Sequence, residues 1–324
     1  MALKMSCAFA TSMATPDHVV IAESLGYERA WCYDSPALYP DVWVQLCRAA
    51  DRTSRIGLGP GVLIPSLRHP MVTAAAIATL VDLAGPDRVV IGVGTGFTGR
   101  YAMGQRGLKW ADLVEYVQQV KALLRGEVVM YDGGNIQMLH PDGFGATRPI
   151  KVPFVFGASG PKGLAAVRKA ADGAFIPGGM PTPGIDWQTV LFFGTVLEPN
   201  ESADSPRVFD AAGHAAAVGY HASAEYGILR GALPGMDEWE HAYDDVAPEL
   251  RHLAMHDRHL IAVNDRDRPY ITGELIAATG NAYSPAQVRD RLALLEDIGA
   301  TEVAYQPAGD IPRELEAFAK AVRG

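Results

Sequence analysis

The sequence predicts an α/β fold of eight parallel strands closed into a ring, the (β/α)8 arrangement known as a TIM barrel. Eight short β-branched or aromatic runs each stand before or between helical patterns. Consecutive runs are not joined by sustained hairpins, so the strands run parallel. Eight βα units is the number that closes a barrel, and such barrels reach 250 residues or more as one unit.

The elements follow in order along the chain. Lys4 to Phe9 reads as the first strand. Pro16 stands at the start of the next helix, and Gly26 stops it after Leu25. Arg29 to Tyr33 is the second strand, with a helix over Val42 to Ala50. Ile56 to Ile64 is the third, followed by an alanine-rich helix from Pro70 to Leu83. Val89 to Gly94 is continuously apolar, as a strand buried on both faces must be, and a long helix spans Trp110 to Leu124. Phe154 to Gly157, Gly173 to Ile176, Thr189 to Leu197 and Thr301 to Gln306 complete the set. Helices over Pro161 to Ala171, Pro285 to Ile298 and Ile311 to Val322 accompany them. Two stretches exceed a minimal barrel, about 101–152 with a small β excursion near Tyr131 to Leu139, and about 198–283, rich in Ala, His and Glu. Both are expected as substrate-covering insertions on the C-terminal face of one domain spanning residues 1–324.

Composition narrows the function. Of 324 residues, 48% are hydrophobic and 20% charged, with mean hydropathy near zero, which excludes disordered and fibrous classes. Lys plus Arg is 28 against Asp plus Glu 37, a net charge of −9 with no basic block, so nucleic acid is not expected as a partner. Cys7, Cys32 and Cys47 form no CxxC pair and read as small core residues of a reducing, cytoplasmic protein. The first 13 residues do not read as a signal peptide, and no apolar run nears the ~20 residues of a membrane span.

Three glycine-rich loops follow strands. Gly94-Thr95-Gly96-Phe97-Thr98-Gly99 fits G-x-G-x-x-G, yet lacks the acidic residue that a dinucleotide-binding unit places after its next strand. Its glycines instead let a flat ligand approach the strand end. Gly157-Ala158-Ser159-Gly160-Pro161-Lys162 joins a strand to a helix N-terminus, so its amides and small side chains suit a phosphate; Gly178-Gly179-Met180 follows the next strand and completes the cradle. Gly57 to Pro70 holds three glycines and three prolines, which mark a bulge or strained bend in the third strand. His252 and His256 stand at metal-gripping i, i+4 spacing, but nothing like HExxH accompanies them and no metal is expected. GxSxG, P-loop and kinase signatures are absent.

Ile56-Gly57-Leu58-Gly59 through Arg68-His69-Pro70, Val89 to Gly96 and Gly157 to Pro161, with Gly178-Gly179 and Thr279-Gly280 before Pro285-Ala286-Gln287-Val288, resemble the luciferase-like family of flavin- and deazaflavin-dependent oxidoreductases. The likeness covers Leu3 to about Ile176 and Gly280 to Pro307, and is weak over Glu198 to Leu275. It implies a TIM barrel that binds coenzyme F420 or, alternatively, FMN. It implies a cis Gly61–Val62 peptide behind the ring system, a ring contact from Asp34, and Thr95 and Gly96 beside it. Phosphate contacts are implied at Ala158, Ser159, Gly160, Gly178 and Gly179. A homodimer acting on a small-molecule substrate is the expected assembly.

Departures from the family pattern shape the expected chemistry. Ser35 stands where sugar-phosphate and alcohol dehydrogenase members carry a basic histidine, and Phe97 where they carry a glutamate. Both are expected to line the acceptor pocket, without the acid–base set for alcohol oxidation. The expectation is an F420-dependent reductase passing hydride to a small organic acceptor. The alternatives are an FMN-dependent luciferase-like monooxygenase and a non-catalytic flavin- or F420-binding protein.

Overall fold

The computed structural model describes residues 3–227 and 231–324. Eight strands, β1 (Lys4–Phe9), β2 (Arg29–Cys32), β3 (Gly57–Pro60), β4 (Ile91–Gly94), β5 (Phe154–Gly157), β6 (Gly173–Ile176), β7 (Gln188–Phe192) and β8 (Glu302–Tyr305), form one parallel sheet. Their spatial order is β3-β2-β1-β8-β7-β6-β5-β4. Parallel bridges Leu58–Val89 and Leu63–Val93 join the two ends and close the TIM barrel. At this seam Val90 N–H donates to Leu58 O at 3.1 Å and Leu63 N–H to Gly92 O at 2.7 Å. The strands come so close that a Cβ on Gly59 would lie 1.8 Å from Val90 O, so only glycine fits.

Every residue of β2, β3, β4, β6 and β8 is buried. Outside the ring, Leu46, Ile77, Leu113 and Val288 pack helices onto strands. Inside it, Ala8, Trp31, Val90, Val155, Phe175 and Ala304 fill the barrel, with Trp31 and Phe175 edge to face at 5.2 Å. Beneath them the buried Glu302 accepts from Arg29 Nη1 at 2.6 Å and Trp31 Nε1 at 2.9 Å. Caps fix where helices begin. Asp41 accepts from the Trp43 and Val44 amides, and Ser284 with Gln287 forms a capping box.

The third and seventh strands are shorter than expected. β3 ends at Pro60; the Gly61 amide still donates to Cys32 O at 2.8 Å, the Gly61–Val62 peptide is cis, and the chain meets β4 again at Leu63. β7 ends at Phe192. Gly194 then turns the chain at φ +105°, and Thr195–Val196 pairs with Ala282–Tyr283 outside the ring. The excursion in 101–152 is a hairpin of Val129–Tyr131 and Gly134–Ile136. It comes after the helix Trp110–Leu124, so it belongs to the connection into β5 and not to the loop leaving β4.

The stretch 198–283 follows β7 and sits on the C-terminal face. Its helices Pro206–Tyr226, Met236–His241, Arg251–Met255 and Gly273–Ala278 bury Tyr220, Trp239, Tyr243 and Ile276 in a second core. Gln306, just past β8, ties this cap to the barrel: its Nε2 donates to Leu260 O at 2.8 Å, and its Oε1 accepts from Tyr33 at 3.1 Å. Among the described residues no helix is long and apolar enough to cross a membrane.

Candidate active site

A cleft opens at the C-terminal ends of the strands, roughly 700 Å³ counted to its open mouth. The cleft lies where TIM barrels carry their chemistry. Its floor is flat and apolar, made by Gly61, Val62, Gly94, Gly157 and Phe175. Val62 fills the space above two of these glycines: a Cβ on Gly94 would lie 2.5 Å from Val62 Cγ2, and one on Gly157 3.2 Å from Cγ1. Tyr33, Asp34, Ser35, Thr95, Gly96, Phe97, Thr98, Leu191 and Leu260 wall it.

The Gly94 to Gly99 motif is explained by this packing. Gly94 makes room for Val62, Gly96 has φ +86°, and a Cβ on Gly99 would lie 2.3 Å from Ile64 Cδ1. The loop opens a single helical turn, Phe97–Tyr101, which presses against the end of β2. Phe97 stacks on Tyr226 of the cap with centroids 5.0 Å apart, and Tyr101 meets both rings edge-on. An aromatic cluster jointly built by barrel and cap therefore backs Phe97, which lines the cleft.

Asp34 lines the cleft, and one of its carboxylate oxygens is held by protein. Its Oδ2 accepts from Arg68 Nη1 at 2.6 Å and from the Ile64 amide at 3.2 Å, while Arg68 Nη2 reaches Asp41 at 2.8 Å. Burial raises the Asp34 carboxyl above its usual range, and the Arg68 guanidinium and Ile64 amide oppose that rise. Arg68 had no expected role; the sequence held it within the third-strand motif without a signal for its partner.

The glycine loops after β5 and β6 are exposed at Ser159, Gly160, Gly178 and Gly179. Gly160 is the N-cap of the helix Pro161–Ala170 and brings no capping side chain. A Cβ at Gly160, Gly178 or Gly179 would meet nothing within 4 Å, so the cradle is open. Ala158 differs from the expectation. Its side chain is buried and its amide donates to Phe175 O at 3.0 Å, so the barrel ladder already uses that donor.

Sequence reasoning also missed how the cap histidines are used. His252 and His256 do not converge as an i, i+4 pair: His256 Nδ1 bonds the His252 backbone carbonyl, and its Nε2 lies 3.1 Å from Glu225. His221, His256 and His259 instead cluster with ring centroids 5.0 to 5.9 Å apart. His259 Nε2 approaches the Thr98 hydroxyl at 3.3 Å, next to the cleft. The distant position of His259 in the chain gave no local sequence signal for this contact.

A family model described as luciferase-like monooxygenase matches residues 12–302. The chain belongs to the luciferase-like family. This luciferase-like protein is 32% identical over 164 residues to a 5,10-methylenetetrahydromethanopterin reductase of Archaeoglobus fulgidus, covering 49% of this chain and 47% of that one. It is 35% identical over 176 residues to an F420-dependent glucose-6-phosphate dehydrogenase of Beutenbergia cavernae, covering 48% and 50%. The match thus spans about half the length of these curated relatives. The fold is shared in full with the coenzyme F420 dependent tetrahydromethanopterin reductase of Methanopyrus kandleri, at TM-score 0.69 and 20% identity over 100% of this chain and 99% of that one.

Proposed function

We propose that this luciferase-like protein is a coenzyme F420-dependent reductase of a small, uncharged organic acceptor. The observation that carries the reading is the flat apolar floor of Gly61, Val62, Gly94 and Gly157 beside an open anion cradle at Ser159–Gly160. A tricyclic ring fits the floor, and a phosphate fits the helix N-terminus with its unpaired amides. The name of the F420-dependent glucose-6-phosphate dehydrogenase, and that of the coenzyme F420 dependent reductase whose fold is shared, support the deazaflavin over a flavin. A bound, reduced deazaflavin supplies hydride.

The residues of the chain then have these tasks. Val62 and the glycines back the ring. Asp34, held by Arg68, edges it. Ser159, Gly160, Gly178 and Gly179 hold the phosphate, with Thr95 and Gly96 between. Phe97, Tyr101 and Tyr226 shield the acceptor from water, and Ser35 lines its pocket without supplying a base. The resemblance further supports a homodimer working as one barrel unit with both insertions in a reducing cytoplasm, which agrees with three free cysteines.

FMN-dependent monooxygenation is the second reading, favoured by the description of the matching family model. Anaerobic turnover with chemically reduced F420 against enones, imines and nitroaromatics tests the first. Oxidation of the reduced cofactor that depends on acceptor supports it. Activity only with reduced FMN and oxygen supports the second, and binding without turnover in either assay supports a non-catalytic carrier.

A further inference from the structure

We propose that Asp267, His221, His259 and Thr98 form a proton relay from the interior of the cap to the cleft, supplying the proton that a hydride acceptor takes up. The proposal rests on the reductase reading above. The chain of contacts is continuous. Asp267 Oδ2 lies 2.8 Å from His221 Nε2, His221 Nδ1 lies 2.9 Å from His259 Nδ1, and His259 Nε2 lies 3.3 Å from Thr98 Oγ1. Thr98 in turn lines the cleft. His221, His259 and Asp267 are buried. Arg258 and Leu260, either side of His259, both take left-handed backbone at φ +56° and +61°, unusual for residues other than glycine.

Hydrogen-bond accounting fixes the direction. Asp267 receives Trp239 Nε1 and Tyr243 OH at 2.7 Å and Asn264 Nδ2 at 2.9 Å besides His221. Both carboxylate oxygens are therefore acceptors, and His221 Nε2 must carry the hydrogen that faces them. The two Nδ1 atoms then share one hydrogen. When it rests on His221, that ring is an imidazolium held by Asp267, His259 is neutral, and His259 Nε2–H points at Thr98. The Thr98 hydroxyl hydrogen is thereby left to face the cleft.

The groups around the relay favour this charge placement. His214, His221 and Glu225 come from the helix Pro206–Tyr226, His256 from the segment after Arg251–Met255, and Tyr39 donates to His259 O. Burial, then the neighbouring His221, His256 and His214 rings, hold the His259 imidazole well below the ordinary histidine range. His259 thus passes a proton and does not store one.

The acceptor carbon gains hydride, and the displaced electron pair of its C=C–C=O or C=N bond settles on the heteroatom. The heteroatom takes the Thr98 hydroxyl proton, Thr98 takes the His259 Nε2 proton, and His259 Nδ1 takes the His221 Nδ1 proton. The relay ends one proton poorer, with both histidines neutral, and is recharged from solvent.

The test compares an enone, which needs hydride and proton, with the 1-methylnicotinamide cation, which needs hydride alone, using the full chain and reduced F420. Thr98→Val and His259→Gln are each expected to lower the enone-to-pyridinium rate ratio by about 10²-fold or more, in the range of general acid catalysis. Thr98→Ser is expected to restore it, and F420 titration checks that each variant folds. Independently of turnover, ¹⁵N NMR of the imidazoles in cofactor-free protein is expected to show a scalar coupling across the hydrogen bond between His221 Nδ1 and His259 Nδ1. A ratio unchanged in both variants overturns the relay, as does the absence of coupling between the two Nδ1 atoms. A wild-type chain that neither binds F420 nor oxidises its reduced form overturns the reductase reading instead, and the NMR experiment then still decides the relay.

Discussion

Arg68 Nη1 lies 2.6 Å from Asp34 Oδ2 at the rim of the cleft, and the same guanidinium spans to Asp41 at 2.8 Å. Asp34 is buried and Arg68 largely so. Removing one partner of such a pair strands the other charge in a poorly solvated site. Arg68→Leu is therefore expected to cost about 3–5 kcal/mol in urea unfolding, and adding Asp34→Asn to recover a substantial part. A loss below about 1 kcal/mol would show that water reaches Asp34 freely.

The open helix N-terminus gives a test of cofactor placement that spares the fold. Gly160 has ordinary backbone geometry at φ −97°, and a side chain there meets nothing within 4 Å. Gly160→Asp is expected to leave the melting temperature within a few degrees while weakening F420 by ~2–4 kcal/mol, or about 30- to 1000-fold. Unchanged affinity would remove this loop from the site.

Two glycines with similar local sequence signals should behave in opposite ways. Gly59→Ala forces a methyl group to 1.8 Å from Val90 O, backbone that cannot swing aside. It is expected to cost about 3 kcal/mol or more, or to abolish soluble expression. Gly178→Ala points into open space and is expected to change stability by less than about 0.5 kcal/mol. Equal tolerance at both positions would contradict the seam as drawn.

Acid should weaken the cap through its buried histidines. Desolvation lowers the His214 pKa to about 4, and His259 also lies well below its usual range. As pH falls below about 6.5 the unfolded chain protonates these rings and the folded chain does not. Stability is thus complete above about pH 6.5 and lost progressively toward pH 4, by about 1.4 kcal/mol per pH unit for His214. His214→Gln should flatten the dependence of the urea midpoint on pH in that window. An unaltered slope would mean that His214 is protonated in the folded state.

The barrel was legible because its signals are local. Each strand is a short apolar run bounded by a Gly, Pro or cap residue such as Asp41 or Ser284, and the period of the βα units sets the topology. The glycine loops after β4, β5 and β6 were legible for the same reason. What stayed hidden depends on partners distant in the chain. Nothing near Arg68 announces Asp34, and nothing near His259 announces Thr98 at a separation of 161 residues. Ala158 read as a phosphate donor because its side chain is small, but its amide completes the ladder to Phe175. β7 ended early at Phe192 because Gly194 turns the chain and Thr195–Val196 pairs with Ala282–Tyr283 outside the ring, a choice made by tertiary packing.

The cofactor decides the account as a whole. Fluorescence titration of the purified, cofactor-free protein with F420 and with FMN, under identical conditions, measures it directly. Saturable binding of F420 at least tenfold tighter than FMN, a difference of about 1.4 kcal/mol, is the predicted result. Tight binding of FMN with no saturable response to F420 would contradict it.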